Sequence, residues 1–216
     1  MKKICILVLA MVFSTTLTTA QKTEKELKNH VKENASKQAR QEAKSLTKQG
    51  WKTNPGAYPL DKLLEDSWMK QYQTDENGQP AYYTADGNGV AETKSVAEAQ
   101  AIEMAKLQLA GLIESNIASI VKTNIANTQE ASQDATSVNE LVQSSKNIIA
   151  QQLGYVNPGF KIYRDLDNKK IEVQVRVFYE ANQSLAIAKK AIRKELKEKL
   201  NKSDEQVDKL LQDVSK

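Results

Sequence analysis

From Ser95 to Asn127 the chain contains no proline and a single glycine, Gly111. Within it Ile102, Leu109, Ile113, Ile117 and Ile120 recur at helical spacing, and Ala105 and Ala110 fill the same side. A second row, Ala97, Ala101 and Ala105, is spaced by four, so a sheet or another helix can come close to its backbone. An apolar surface this wide exceeds what a lone surface helix carries. The spacing predicts a long central core helix around which the other segments must be arranged.

The flanking segments read as an α+β fold. Residues 22–49 form a helix-rich stretch with a thin stripe of Leu27, Val31, Ala35, Ala39, Ala43 and Leu46, ended by Gly50; so little apolar surface needs a partner. A turn at Asn54-Pro55-Gly56 leads to a short helix from Leu60 to Tyr72. Trp51 and Trp68, the only tryptophans, fall in this region; packing it onto the domain is their expected role, with ligand stacking as the alternative. Ala81–Ala91 reads as a strand with a bulge or break near Gly87–Gly89. The tetrads Asp75–Gly78 and Asp86–Gly89 read as turns, because neither continues with the oxygen ligands and distal glutamate of a calcium loop.

After the central helix, a polar linker over 128–135 precedes a second helix from Ser137 to Leu153. Ser137 and Glu140 have capping-box spacing there, and Gly154 sits at the stop position. Strands Phe160–Arg164 and Lys170–Tyr179 flank an aspartate-rich turn. In the second of them Ile171, Val173, Val175 and Val177 alternate with Glu172, Gln174 and Arg176, so one face is expected to be buried and the other to meet water or a partner. Tyr163, Arg176 and Tyr179 are the candidate contact surface on that open face, with Trp51 and Trp68 beside them. A helix from Asn182 to Leu200 and a last short helix capped at Ser203–Gln206 close the chain. The expected architecture is one α+β domain over residues 55–200, a small antiparallel sheet of about three strands packed by two long helices. A basic helical arm and connector (21–54) precede it, and a short helical tail (201–216) follows.

The first twenty residues have a basic start (Lys2, Lys3), an apolar run from Ile4 to Phe13 and a small-residue exit ending at Ala20. This is the layout of a signal peptide, and the run is too short to span a bilayer. Cleavage after Ala20 would remove Cys5, the only cysteine, leaving a chain without disulfides or thiolate metal sites and with no transmembrane segment. It would also lower the formal net charge from +4 to +2 by removing two lysines. The remaining charge is uneven, basic over 22–52 and 181–216 and acidic between. Export and the acidic middle disfavour nucleic-acid binding. The only histidine, His30, has no triad or ligand partners near it, and no phosphate loop or dinucleotide fingerprint occurs. No catalytic, metal or cofactor residue is assigned.

The run A-E-A-Q-A-I-E-M-A-K-L-Q-L-A-G-L-I-E after a glycine-containing strand, with K-K-I-E-V-Q-V-R-V later, resembles the twenty-kilodalton bacterial lipoprotein family over about residues 81–200. With K-Q-G-W-K-T-N-P-G-A-Y-P-L included, the chain is also similar to uncharacterised exported proteins of Gram-negative gut anaerobes. The resemblance implies an envelope protein with helices packed on an antiparallel sheet and no assigned catalytic residues. The chain departs from the family in lacking a lipidation cysteine at the processing site, so a membrane anchor is not carried over. The expectation is an exported, non-enzymatic cell-envelope protein, periplasmic or associated with the outer membrane, that contacts another envelope protein or itself. The alternative is a small-ligand or glycan-binding module using Trp51, Trp68, Tyr82 and Tyr83; a hydrolase with two convergent carboxylates is a third reading.

Overall fold

The computed structural model describes residues 33–128, 132–212 and 214; the expected signal peptide, His30 and the first part of the helix expected over 22–49 lie outside them. The fold is α+β, with one three-stranded antiparallel sheet. Helix α1 covers residues 33–48 and α2 covers Leu60–Gln71. Strand β1 (Tyr82–Ala91) turns directly into α3 (Lys94–Thr128), followed by α4 (Ser132–Gln143) and α5 (Lys146–Leu153). Strands β2 (Pro158–Asp165) and β3 (Ile171–Glu180) form a hairpin, and α6 (Ala181–Leu200) and α7 (Asp204–Leu210) end the chain. The strand order is β1-β3-β2, so β3 is central and β1 is an edge.

β1 is unbroken. It pairs with β3 in one register from Tyr82↔Glu180 to Ala91↔Ile171, so the expected turn at Asp86–Gly89 and the bulge or break at Gly87–Gly89 are absent. The glycines have another purpose. A Cβ on Gly87 would lie 2.0 Å from the Ala101 carbonyl oxygen, and one on Gly89 would lie 2.1 Å from that of Ala97. The backbone of α3 therefore rests directly on β1, admitted by glycine below and by the Ala97, Ala101 and Ala105 row above, all fully buried. Beyond the sheet the same helix row continues as Leu109, Ile113, Ile117 and Val121, also fully buried. There it meets Val138 and Val142 of α4, Ile149 and Leu153 of α5, and Ile192 and Leu196 of α6 in one core.

The expected second helix is two. α4 begins at Ser132 and ends at Gln143, and α5 starts at Lys146, so Ser137–Glu140 lies inside α4 rather than at its start. The break falls at Ser145, whose buried hydroxyl donates to the Val142 carbonyl (2.6 Å), a local bond that competes with helix continuation. Gly154 does end α5, at φ +64°. The capping box at the last helix is present, with Ser203 Oγ accepting from the Gln206 N–H and Gln206 returning a bond to the Ser203 N–H. The tail is part of the core: Val207, Leu210, Leu211 and Val214 are buried in the main cluster. Asn124 of α3, itself buried, donates to the Leu210 and Gln212 carbonyls at the end of α7.

The second sheet face is covered as well. Ala39 and Ala43 of α1, Trp51 of the connector and Leu64 of α2 form a separate core with Phe160 and Ile162 of β2. Lys52 exchanges two backbone hydrogen bonds with Tyr163 (2.8 and 3.0 Å), adding a one-residue bridge that shields the β2 edge. Residues 33–54 thus pack on the sheet.

Substituting Gly89→Val should be among the most damaging single changes in the protein, costing about 3 kcal/mol or more, because helix backbone has no rotamer with which to yield. Urea unfolding would measure this, with Gly111→Ala, in α3 where only the flexible Lys146 side chain approaches (3.4 Å), as the mild comparison.

Candidate protein-contact surface

The five residues singled out from the sequence do not form one surface. Strand pairing sets Tyr163 opposite Val173 and places Tyr179 in the Val173–Val177 row, so both tyrosines lie on the α3 face, packed against the main core. Arg176 lies on the other face, facing α2. The error has a simple physical source: Tyr179 follows the period-two alternation of the valines, and Arg176 is out of phase with it.

Arg176 is an internal joint. Its guanidinium donates to both Asp86 oxygens (2.6 and 3.0 Å) and to the buried Ser67 hydroxyl of α2 (3.0 Å), and lies 5.9 Å from the Phe160 ring centre. The hydrogen bond to Asp86 raises its already high pKa, and burial opposes that. Four residues back along β3, Glu172 accepts from Asn88 (2.6 Å) and from Arg164 (2.6 Å), and the Arg164 guanidinium stacks 4.7 Å from the Trp51 ring centre. Trp51 is only 7 % exposed. Trp68 donates its indole N–H to Glu42 (2.9 Å) and stacks on Tyr72 at 5.8 Å. Glu172 and Arg176 of β3 are therefore paired inside the protein by charge pairs within the sheet, the Arg176 bond to Ser67 fastens α2 to it, and the Trp68 bond to Glu42 joins α2 to α1. The Ser36 hydroxyl bond to Glu65 ties the same two helices.

Tyr82 and Tyr83, adjacent in β1, point to opposite faces. Tyr83 is half-buried beneath α3, where its hydroxyl accepts from Asn116 (2.6 Å). Burial raises its pKa above the ordinary 10.0, and the Asn116 hydrogen bond opposes that.

A surface that the sequence reading passed over lies on α3. The buried row runs Ala97, Ala101, Ala105, Leu109, Ile113, Ile117, Val121. The row one residue earlier, Val96, Gln100, Met104, Gln108, Leu112, Asn116, keeps a constant quarter-turn relation to it, and every member is exposed. Val96, Met104 and Leu112 are large apolar side chains with 51, 47 and 49 % of their surface in water. No member is charged, although α3 carries Lys94, Glu98, Glu103, Lys106, Glu114 and Lys122 on its other rows. The row after the buried one faces β2: Glu98 pairs with Lys161 (2.6 Å) and the Lys94 ammonium sits 3.6 Å from the Tyr163 ring centre. Where α3 lies over the sheet, the exposed row at Val96, Gln100 and Met104 therefore points the opposite way, past β1, whose outer edge has no strand partner among the described residues; farther along, toward Leu112 and Asn116, the row winds around the helix. Its signal was present in the sequence as a charge-free row at spacing four in a charge-rich chain.

The described residues contain shallow clefts besides. One of about 240 Å³ at the end of β3 is lined by Tyr155, Asn157, Phe178, Tyr179, Glu180 and Gln183, and Tyr155 is 80 % exposed. Among the described residues no helix is long and apolar enough to cross a membrane. Comparison with known proteins yields no match: no family model, curated protein or solved structure matches this chain. The functional reading therefore rests on the geometry above.

Two measurements check these assignments. Arg176→Met and Asp86→Asn should each cost about 2 kcal/mol, and the double substitution should cost clearly less than their sum, as a urea double-mutant cycle would show. The stability contributed by Tyr83 is complete below its ordinary value of 10.0 and is lost as pH rises through its raised value. Tyr83→Phe should therefore flatten the alkaline fall in stability above pH 10.0, read as Tm against pH.

Proposed function

We propose that this chain is an exported cell-envelope protein that acts through protein–protein contact, using the outer side of α3 beside the edge of β1. The observation that carries the reading is the uncharged, exposed row from Val96 to Leu112. Isolated surface leucines need no explanation, but three large apolar side chains along one charge-free, winding row of a deeply seated helix are suited to contact with a partner. The leader-like first twenty residues support export, and the resemblance to the twenty-kilodalton lipoprotein family supports an envelope setting.

A second reading, a small-ligand or glycan module, shifts from the tryptophans to the cleft at Tyr155, Phe178 and Tyr179, whose rings, amides and carboxylate suit a small polar ligand with an apolar face.

The test is to cross-link cells that express the tagged full chain, isolate envelopes and identify what co-purifies. The expected result is a chain beginning at Gln21, in the envelope fraction, with a specific protein partner or with itself. Leu112→Glu should reduce that recovery about tenfold, with folding unchanged. A chain retaining Met1 in the cytoplasm, or equal recovery from Leu112→Glu, would overturn the reading.

A further inference from the structure

A cleft of about 520 Å³ opens between α1 and the start of α2, on the side of the sheet opposite α3. Its cationic groups come from one row of α1, Arg40, Lys44 and Lys48, spaced by four and all exposed. Successive members rise about 6 Å along the helix, so the row spans about 12 Å. Like charges at this spacing repel one another. On α6 the protein relieves such crowding with acids: Arg193 and Lys197 reach Asp204, and Lys199 reaches Glu195. On α1 it does not. Among the described residues, Arg40, Lys44 and Lys48 form no ion pair. Asp61, the one carboxylate lining the cleft, sits in the first turn of α2, where the helix dipole favours it, and pairs with none of them.

Below these charges the lining is mostly aliphatic. Ala43 and Leu60 contribute to it, and long basic side chains lay their methylene stems along such a surface while their heads stay in water. Thr47 supplies the only hydroxyl among the lining residues, and no aromatic ring is among them. That composition selects a chemistry. A sugar or nucleobase is held by an aromatic platform with amides beside it, and the cleft has neither. A peptide brings an N–H and a C=O per residue, which one hydroxyl cannot satisfy. An inorganic anion would neutralise the row but leave the aliphatic walls in water. An aliphatic chain ending in an anion matches both parts.

We infer that this cleft binds a single aliphatic carboxylate of fatty-acid type, its head held by the Arg40–Lys48 row and its chain against Ala43 and Leu60. The bound carboxylate removes the repulsion within the row, and the chain takes apolar surface out of water. A cleft about 12 Å long accommodates an extended chain of about ten carbons. This site is separate from the exposed row of α3 and does not depend on it.

Decanoate, kept below its critical micelle concentration, is the probe, and amide chemical shifts of the isotope-labelled full chain are the readout. Saturable shifts are expected at residues 40–48 and at Leu60 and Asp61. Decanol lacks the charge and acetate lacks the chain, so each should bind at least about tenfold more weakly. Combining Arg40→Gln, Lys44→Gln and Lys48→Gln should weaken decanoate binding about thirtyfold, and Thr47→Glu, which sets a like charge in the cleft, about tenfold. Lys190→Gln, exposed on α6, should leave it unchanged. All these positions are exposed, and circular dichroism would show each variant folded. Decanol binding as tightly as decanoate, shifts confined to another part of the molecule, or undiminished binding by the triple variant would each overturn the assignment. So would shifts at residues 40–48 with an oligoglutamate peptide or with phosphatidylglycerol vesicles but none with decanoate, which would give the basic row to an acidic partner or to a bilayer surface instead.

Discussion

The structure depends on the contact between two glycines and a row of alanines. Gly87 and Gly89 lack the Cβ atoms that would otherwise strike the Ala97 and Ala101 carbonyls, and the alanines carry nothing larger that would lift the helix away. Close packing of backbone on backbone gives many dispersion contacts and fixes the rotation of α3 about its axis. Every other row of α3 is then assigned. One faces β2 with Glu98 and Lys94, one lies under α5, where Gly111 accommodates the Lys146 stem, and one is left in water beyond the sheet edge. The surface proposed for function is thus a by-product of how the core is closed.

The opposite face of the sheet is held in a different way. On the α3 side the strands present Val173, Val175 and Val177 to an apolar core. On the α2 side they present Glu172, Gln174 and Arg176, which no helix could cover cheaply if they were unpaired. The protein covers them by supplying partners: Asp86 and Ser67 to Arg176, Asn88 and Arg164 to Glu172, and the Trp51 ring to Arg164. Phe160 and Ile162 from the twisted β2 edge add the apolar contacts that Leu64, Ala39 and Ala43 need. A helix with as little apolar surface as α1 is stable there because it closes a small second core.

Much of this was legible before the structure. The central helix, the alanine row and its close approach, the three strands, the final capping box and Gly154 as a stop all follow from local rules that act over a few residues, and the structure has each of them. The misses share a cause. Gly87 and Gly89 looked like a strand defect because glycine weakens an isolated strand, but here the missing Cβ serves helix residues eight or more positions away. Arg176 looked like an exposed contact residue because its alternation phase is polar; its partners come from β1 and α2.

By itself the sequence determined the periodicities: which stretches are helices, which are strands, which side of β3 is apolar, and where the small residues stand. Those features are set by backbone geometry and side-chain chemistry within a short window. Only the tertiary structure decided that the polar side of the sheet is covered, that the C-terminal segment enters the main core, and which row of α3 remains in water. The reason is that burial is a property of pairs of elements. Val96, Met104 and Leu112 are as apolar as the residues of the core, and they are exposed solely because the glycine–alanine contact turns α3 a quarter-turn away from them.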